Sequence, residues 1–475
     1  MKKRAIVWFR NDLRIHDNES LIKAAEYDEV IFLYCFDPIY FGHTEHGFPK
    51  TGPHRGRFLL ESLEDLQNRL QELGNNLVIR RGDPSEVIPE LVTQYSVSKV
   101  FAQEEVTREE IVTEDELISK LDNKIEFHWG HTLFHIEDVP FDEDKIPDVF
   151  TSFRKKCEKY SEVRAEYEEK LTPPPVKDID TGKLPSLSDL EIEEKPQDER
   201  SVLSFEGGET AALARLNDYI WTKDLLKKYK NTRNGLLGAD YSSKFSPWLA
   251  NGCLSPRRIY HEVKKYEEER TSNKSTYWMI FELIWRDYFR YSALKYGDKI
   301  FHAGGIQGKK RDWKGKNEAF QKWAGAATGI PFIDANMREL NKTGFMSNRG
   351  RQNVASFLAQ NLNIDWRIGA EYFESLLLDY DPCSNYGNWA YNATVGHDPR
   401  NRYFNIINQA DRYDKKAEYI KHWLPELKNV PPEKAHEPWK LTDAEQSEYG
   451  IQIGHDYPQP MIDLEKSYEE IRKRD

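Results

Sequence analysis

The chain has only four cysteines among 475 residues, at 35, 157, 253 and 383, and no two of them fall in a Cys-x-x-Cys spacing. That excludes a disulfide framework or a cysteine zinc site as the organising device and predicts a reducing compartment with no metal. No apolar run is long enough to span a bilayer, and Met-Lys-Lys-Arg leads straight into residues 5–9 without the longer apolar core of a secretory signal. An intracellular, cytoplasmic protein with no membrane association is expected. Positive charge is also lacking. The formal net charge of -12 argues against a protein that coats nucleic acid non-specifically, because such binding relies on Lys and Arg releasing condensed counterions. Any contact with nucleic acid must be local. One cluster is Lys309, Lys310, Arg311, Lys314 and Lys316, which a solvated loop beside Gly304, Gly305, Gly308 and Gly315 explains equally well; another is Arg400 and Arg402.

Glycine is missing where a dinucleotide enzyme needs it. Short β-rich runs at 5–9, 30–36, 77–80, 100–102 and 125–129 alternate with helical patterns such as 57–73, which predicts a Rossmann-like parallel sheet with helices on both faces. That region contains no G-x-G-x-x-G, so the usual pyrophosphate turn is absent and a ligand there must bind differently. Residues 171–200 hold Pro173, Pro174, Pro175, Pro185, Pro196 and many acidic residues, a linker composition. Beyond Glu206 the patterns are helical, including 209–228, 276–296 and 349–362, with almost no strand signal. The expected organisation is an α/β domain over 1–135, a linker over 136–205 and an all-α domain over 206–475.

What the chain has in excess is aromatic residues, 13% with 12 Trp and 25 Tyr, much of the excess lying in the C-terminal two-thirds. The richest segment is 346–391. It sets Asn348, Arg351, Asp379, Asp381 and Asn385 among Trp366, Trp389 and Tyr391, the pattern of a polar ligand held against large rings. Glu282, Trp285 and Arg286 at i, i+3 and i+4 share one helical face that could stack and hydrogen-bond a base, although an amphipathic helix with an internal ion pair fits as well. Asn348, Arg351 and Gln352 also share a face, or mark a capped helix start. Tyr241-Ser242-Ser243-Lys244-Phe245-Ser246-Pro247 reads as an N-cap or as a phosphate seat at a helix N-terminus.

Taken in order, WFRNDLR at 8–14, IPDVFTSFRKK at 146–156, SSKFSPWLANGCLSPR at 242–257, FELIWRDYFR at 281–290, the 346–391 segment and WLPEL at 423–427 resemble the photolyase/cryptochrome family over nearly the whole chain. Within it the chain is most similar to DASH-type cryptochromes, with Gln352 and with Tyr391 where classical dimer photolyases carry Trp. The resemblance implies FAD inside the helical domain. Tyr229, Ser242, Ser243 and Ser246, with Lys244 and Phe245 between them, match the phosphate surroundings, and Asn348 matches the residue facing flavin N5. Arg351 with Asp379 matches the pair beside the ring system, and Glu282, Arg286, Asp381 and Asn385 line the same pocket. A polar rim and a water-poor interior are what a reduced flavin requires. Trp323, Trp366 and Trp389 match electron-relay positions, carrying an electron from the surface to the buried flavin.

For the substrate, Trp285 and Tyr391 match the rings that grip a flipped-out pyrimidine dimer, Glu282 the carboxylate that bonds its bases, and Gln352 and Arg349 flanking polar contacts. The implied reaction is blue-light-driven splitting of cyclobutane pyrimidine dimers, preferentially in single-stranded DNA and more weakly in duplex, by a monomeric protein. The α/β domain would hold an antenna, 5,10-methenyltetrahydrofolate, with Glu105 near it. A (6-4) photolyase should show His at 348 and 352, and this chain does not. A signalling cryptochrome should carry a long C-terminal extension, whereas here the sequence stops soon after the family core.

Overall fold

The computed structural model describes residues 2–169, 172–397 and 403–474. Five strands, β1 (Arg4–Phe9), β2 (Glu29–Phe36), β3 (Leu77–Arg81), β4 (Lys99–Gln103) and β5 (Ile125–His128), form an all-parallel sheet in the order β3-β2-β1-β4-β5. Such strands read as unbroken apolar runs because both faces are covered. In β1, Ala5, Val7 and Phe9 enter a core continuous with the second domain, while Ile6 and Trp8 enter a smaller core on the opposite face. The helices Glu19–Ala24, Pro53–Glu72, Pro84–Gln94 and Arg108–Leu121 supply the four crossovers.

Residues 136–205 are not bare chain. Pro174 and Thr181 offer carbonyls to the amides of Val30 (3.1 Å) and Ile79 (2.8 Å), so the proline-rich stretch covers backbone that β2 and β3 would otherwise expose at the sheet edge. Proline lacks a donor but accepts well, which suits it to this role. The same segment contributes the helix Phe150–Tyr160, whose Phe153 packs against Tyr288 and Tyr291.

The described residues beyond 206 form helices, with isolated bridges but no strand. The longest helix, Lys274–Tyr296, starts in a capping box in which Asn273 and Thr276 satisfy each other's backbone. Two helices expected to run unbroken do not. Glu209–Asn217 continues as a π turn over Asp218–Thr222, and Asn348–Ser356 as one over Phe357–Asn361. Apolar periodicity does not distinguish one extra residue per turn. Among the described residues no helix is long and apolar enough to cross a membrane.

The domains meet at the carboxyl ends of the strands, where the sheet order reverses and α/β folds open a crevice. Here that end is largely filled by protein. Asp287 on the long helix is fully buried and accepts from the amides of Leu133 (2.9 Å) and Phe134 (3.0 Å). Asp17 is held by Arg257 (2.6 and 3.0 Å), and Glu209 accepts from the amides of Ile15 (2.7 Å) and His16 (3.2 Å). Arg14 donates to the carbonyl of Gly252 at 2.9 Å. Gly252 has φ +69°, and a Cβ there would lie 1.8 Å from the Asn11 carbonyl oxygen. Gly252→Ala should therefore destabilise the protein by about 2 kcal/mol or more, measured by chemical denaturation; an unchanged midpoint would mean that the domains do not meet this closely.

Candidate functional site

A cavity of about 510 Å³ opens in the helical domain between the Lys274–Tyr296, Asn348–Ser356 and Pro382–Asn392 helices and the 241–250 segment. Tyr229, Ser242, Ser243, Lys244, Phe245 and Ser246 line one part of its wall, and Glu282, Trp285 and Arg286 another. Asn348, Arg349, Arg351, Gln352, Asp379, Asp381, Asn385, Trp389 and Tyr391 complete it. Residues scattered over 160 positions of sequence thus converge on one space, which is large enough for a sizeable polar ligand. Of the other expected residues, Glu105, Trp323 and Trp366 do not line it, and Arg400 and Arg402 lie outside the described residues.

Each wall follows from local sequence. Lys244 adopts φ +58°, turning the serine-rich segment before the short helix Ser246–Ala250, and its ammonium donates to the Ala239 carbonyl at 3.0 Å. Burial brings its pKa down to about 7, so a nearby anion would restore its charge. Ser347 caps Asn348–Ser356 by accepting from the Gly350 amide (3.0 Å), and a 3.6-residue period then turns 348, 351 and 352 to the cavity. Arg351 donates to the Met346 carbonyl and to Asp379, both at 2.9 Å. The second carboxylate oxygen of Asp379, Oδ1, is buried without a protein partner. Asn385 is fixed by its amide on the Ala370 carbonyl (2.9 Å).

Asp381 caps the Pro382–Asn392 helix, accepting from Ser384 N at 2.7 Å, and takes a second bond from Arg290 at 3.1 Å. Burial would push its pKa up, but the charges of Arg290 and Arg286 outweigh it and hold the carboxyl below its usual range. Arg290 also donates to Glu105 at 2.9 Å, and Glu105 meets His131 (2.7 Å) and Asn11 (3.1 Å). The loop after β4 folds into the domain junction, so Glu105 is a buried ion-pair member there. A second cavity, about 490 Å³, lies at the carboxyl ends of β1 and β2 and is walled by Trp8, Arg10, Asp37, Tyr40, Glu109 and Glu110 among others. Glu105 lines neither cavity itself, although its partner Asn11 lines the second one. Burial pushes Glu110 up to about 7.

At the mouth of the first cavity Trp285 and Tyr391 stand 6.2 Å apart at 86°, forming a corner. Glu282 pairs with Arg233 at 2.8 Å, and burial raises its pKa. Arg349 is engaged with Gln352 (2.8 Å) and Asn234 (3.0 Å). Arg286 ties its guanidinium to the carbonyls of His131 and Leu249, so it braces the junction while presenting its side to the cavity. The basic loop at 309–316 stays largely at the surface, with Lys309, Lys310, Lys314 and Lys316 exposed; Lys309 bonds the Thr394 carbonyl, Arg311 bonds Gln360 and Asn363, and Lys316 lies 4.2 Å from the Phe48 ring.

The tryptophans fall into two groups. Trp389 reaches the cavity, and its ring packs on Gly369, where a Cβ would come within 2.3 Å, one turn from Trp366. Trp366 and Trp313 both donate their indole N–H to the Ala303 carbonyl, at 3.1 and 3.2 Å. Trp313 is partly exposed. Trp323 is 0% exposed, donates to the Val354 carbonyl and sits 6.2 Å from Trp389. It is a core neighbour of the inner ring. Trp313 stands in the charged run KRDWKGK, where packing alone gives little reason for an indole.

Residues 278–474 match the family model for the FAD binding domain of DNA photolyase, and residues 5–176 match that for DNA photolyase. The chain is 53% identical to Cryptochrome DASH of Gloeobacter violaceus, over 98% of this chain and 94% of that protein. Among solved structures it resembles a cryptochrome of Synechocystis, with a TM-score of 0.97 and 50% identity over 100% and 99% of the two chains. An archaeal photolyase from Sulfolobus tokodaii, solved with two FAD molecules, gives a TM-score of 0.81 at 26% identity over 99% of both.

The first cavity fits FAD. The unpartnered Asp379 oxygen calls for an N–H donor, Lys244 and the serine hydroxyls suit a diphosphate, and Phe373, Leu377 and Trp389 supply apolar wall. Asp379→Ala should remove both this acceptor and the Arg351 pair, weakening FAD binding roughly tenfold or more, about 1.4 kcal/mol. Flavin absorbance retained through dialysis measures it, and occupancy equal to the parent would sink the role assigned to Asp379.

Proposed function

The chain belongs to the photolyase/cryptochrome family, in its DASH branch, and from that premise we propose that it splits cyclobutane pyrimidine dimers in single-stranded DNA under blue light. The observation that carries this reading is the aromatic corner of Trp285 and Tyr391 opening onto the cavity that fits FAD. Held by these residues in its reduced form, FAD would supply blue-light absorption and an electron lent to the dimer and recovered, with no net redox.

The chain's own groups bind, orient and exclude water. Trp285 offers a stacking face worth roughly 1–3 kcal/mol per base, and Tyr391 closes the corner edge-on. Glu282, held by Arg233, presents carboxyl oxygens toward the cavity where base N–H groups can be bound. Asn348 and Gln352 give the floor polar groups without the paired histidines of (6-4) chemistry. Tyr391 has less stacking area than Trp, so extraction of a lesion from a duplex gains less to offset unpairing. Single strands, which need none, are the preferred substrate, and duplexes are repaired more weakly.

Trp389, Trp366 and Trp313 serve as the electron route from solvent to the cavity, replacing the route through Trp323. The second cavity holds the antenna, methenyltetrahydrofolate, and the protein acts as a monomer. Dimer repair with matched single-stranded and duplex oligonucleotides, after chemical reduction and under blue light, tests the whole reading. Repair of single strands several times faster than duplex is expected. No repair of either, with light-dependent flavin chemistry intact, would replace it with a photoreceptor.

Three variants test the parts. Trp285→Ala should weaken binding of dimer-containing single strands by about tenfold, around 1.4 kcal/mol, while FAD stays bound; an unaltered preference for damaged over undamaged strands would remove the corner from the substrate site. Trp313→Phe should slow photoreduction at least tenfold and leave repair by pre-reduced protein intact. Trp323→Phe should slow it less, and the reverse order would restore Trp323 to the route.

A further inference from the structure

One face of Trp285 is covered. Phe150 lies flat against it, with ring centroids 3.6 Å apart and planes 10° from parallel, yet Phe150 is not among the cavity-lining residues. Phe150 also meets Phe281 (5.2 Å) and Tyr288 (5.6 Å) edge-on, so its own orientation is fixed from two further sides. It is the first residue of the Phe150–Tyr160 helix, and this helix belongs to the segment that joins the two domains.

The same turn also holds the other side of the corner. The backbone carbonyl of Asp148, two residues earlier, accepts from His397 Nδ1 at 3.0 Å, and His397 follows six residues after Tyr391. Asp148 is itself anchored, its carboxylate taking bonds from Lys295 and Tyr296 at the end of the long helix. Residues 148–150 therefore touch the structure behind Trp285 and the chain that leads out of Tyr391, and they do so from a segment whose composition reads as a linker.

We infer that the Asp148–Phe150 turn is a positioning element for the lesion-binding corner: Phe150 backs Trp285 so that its indole meets a base as a fixed plate, and Asp148 sets the Tyr391 side relative to it. This rests on the substrate reading given above. A plate that can rotate pays side-chain ordering on every binding event and grips a rigid dimer no better than an ordinary base. A plate held by a parallel partner loses less, and its advantage falls on the ligand whose shape matches the corner.

The test measures affinity for a single-stranded oligonucleotide with one thymine dimer against the same strand undamaged, using FAD-loaded protein. Phe150→Leu and Phe150→Met remove the flat partner and keep an apolar side chain, whereas Phe150→Tyr keeps the ring. The ratio of affinities should fall roughly two- to tenfold in the Leu and Met variants, the range expected for losing one aromatic pair. It should hold in Phe150→Tyr. Flavin absorbance and photoreduction rate should stay at the parent's level in all of them, which a general loosening of the fold would not allow. Full discrimination in any FAD-loaded variant without a ring at 150 overturns the inference, and so does a loss that Phe150→Tyr shares. Trp285→Ala in the same assay keeps the two ideas apart. If it discriminates normally the substrate site is misassigned, and if it fails while the Leu and Met variants do not, the corner stands and its backing does not.

Discussion

Arg290 is the interaction on which the rest of the molecule depends. It lies buried between Glu105, at the carboxyl end of the sheet, and Asp381, the cap of the helix that carries Asn385, Trp389 and Tyr391. A guanidinium is well suited to the place, because its rigid fork can serve two carboxylates while remaining charged. Two carboxylates and one cation would leave negative charge in the junction, but Arg10 and Arg286 act on the same groups, and both Glu105 and Asp381 are held below their usual pKa despite burial. Removing one partner from such a cluster typically costs roughly 3–5 kcal/mol, since the survivors stay buried and unpaired. Domain docking and the orientation of one cavity wall are therefore a single energetic event.

That coupling explains why polar residues crowd this junction. A purely apolar contact between the sheet and the helices would be non-directional. Here Asp287 takes two backbone amides, Glu209 two more, and Asp17 a two-nitrogen grip from Arg257. Each bond has one geometry, so the helical domain can sit on the strand ends in one way only if all are to be satisfied. The cavity walls inherit that register.

Much of this was legible in the sequence because it depends on local periodicity. Parallel strands show as apolar runs, and all five were located to within a residue or two. Asn348, Arg351, Asp379, Asp381 and Asn385 were also legible, because polar groups embedded among aromatics are costly to bury unless a ligand meets them, whereas Tyr229 and the serine-rich wall came only with the family resemblance. What spacing does not carry is the identity of tertiary partners. Glu105 looks like any acidic helix start until Arg290, 185 residues away, is seen to pair with it. Trp323 has as strong an aromatic setting as Trp366, and its complete burial shows only in the fold. The proline-rich stretch has a linker's composition, yet its carbonyls complete a sheet edge. A π turn needs one extra residue, which an amphipathic pattern absorbs without trace.

Asp381 and Ala250 line both cavities, so the two spaces are separated by little more than a single layer of residues. Such a wall has opposing demands. It must be closed to water, and it must also supply a polar cap for the helix that carries one wall of the first cavity. Apolar side chains would close it but could not also fix a helix start. Asp381 does both, since one oxygen caps the helix and the other is neutralised by Arg290. The charge that makes the junction directional is thus the charge that seals the partition, and this is why a buried cation stands where a simpler fold would place a leucine.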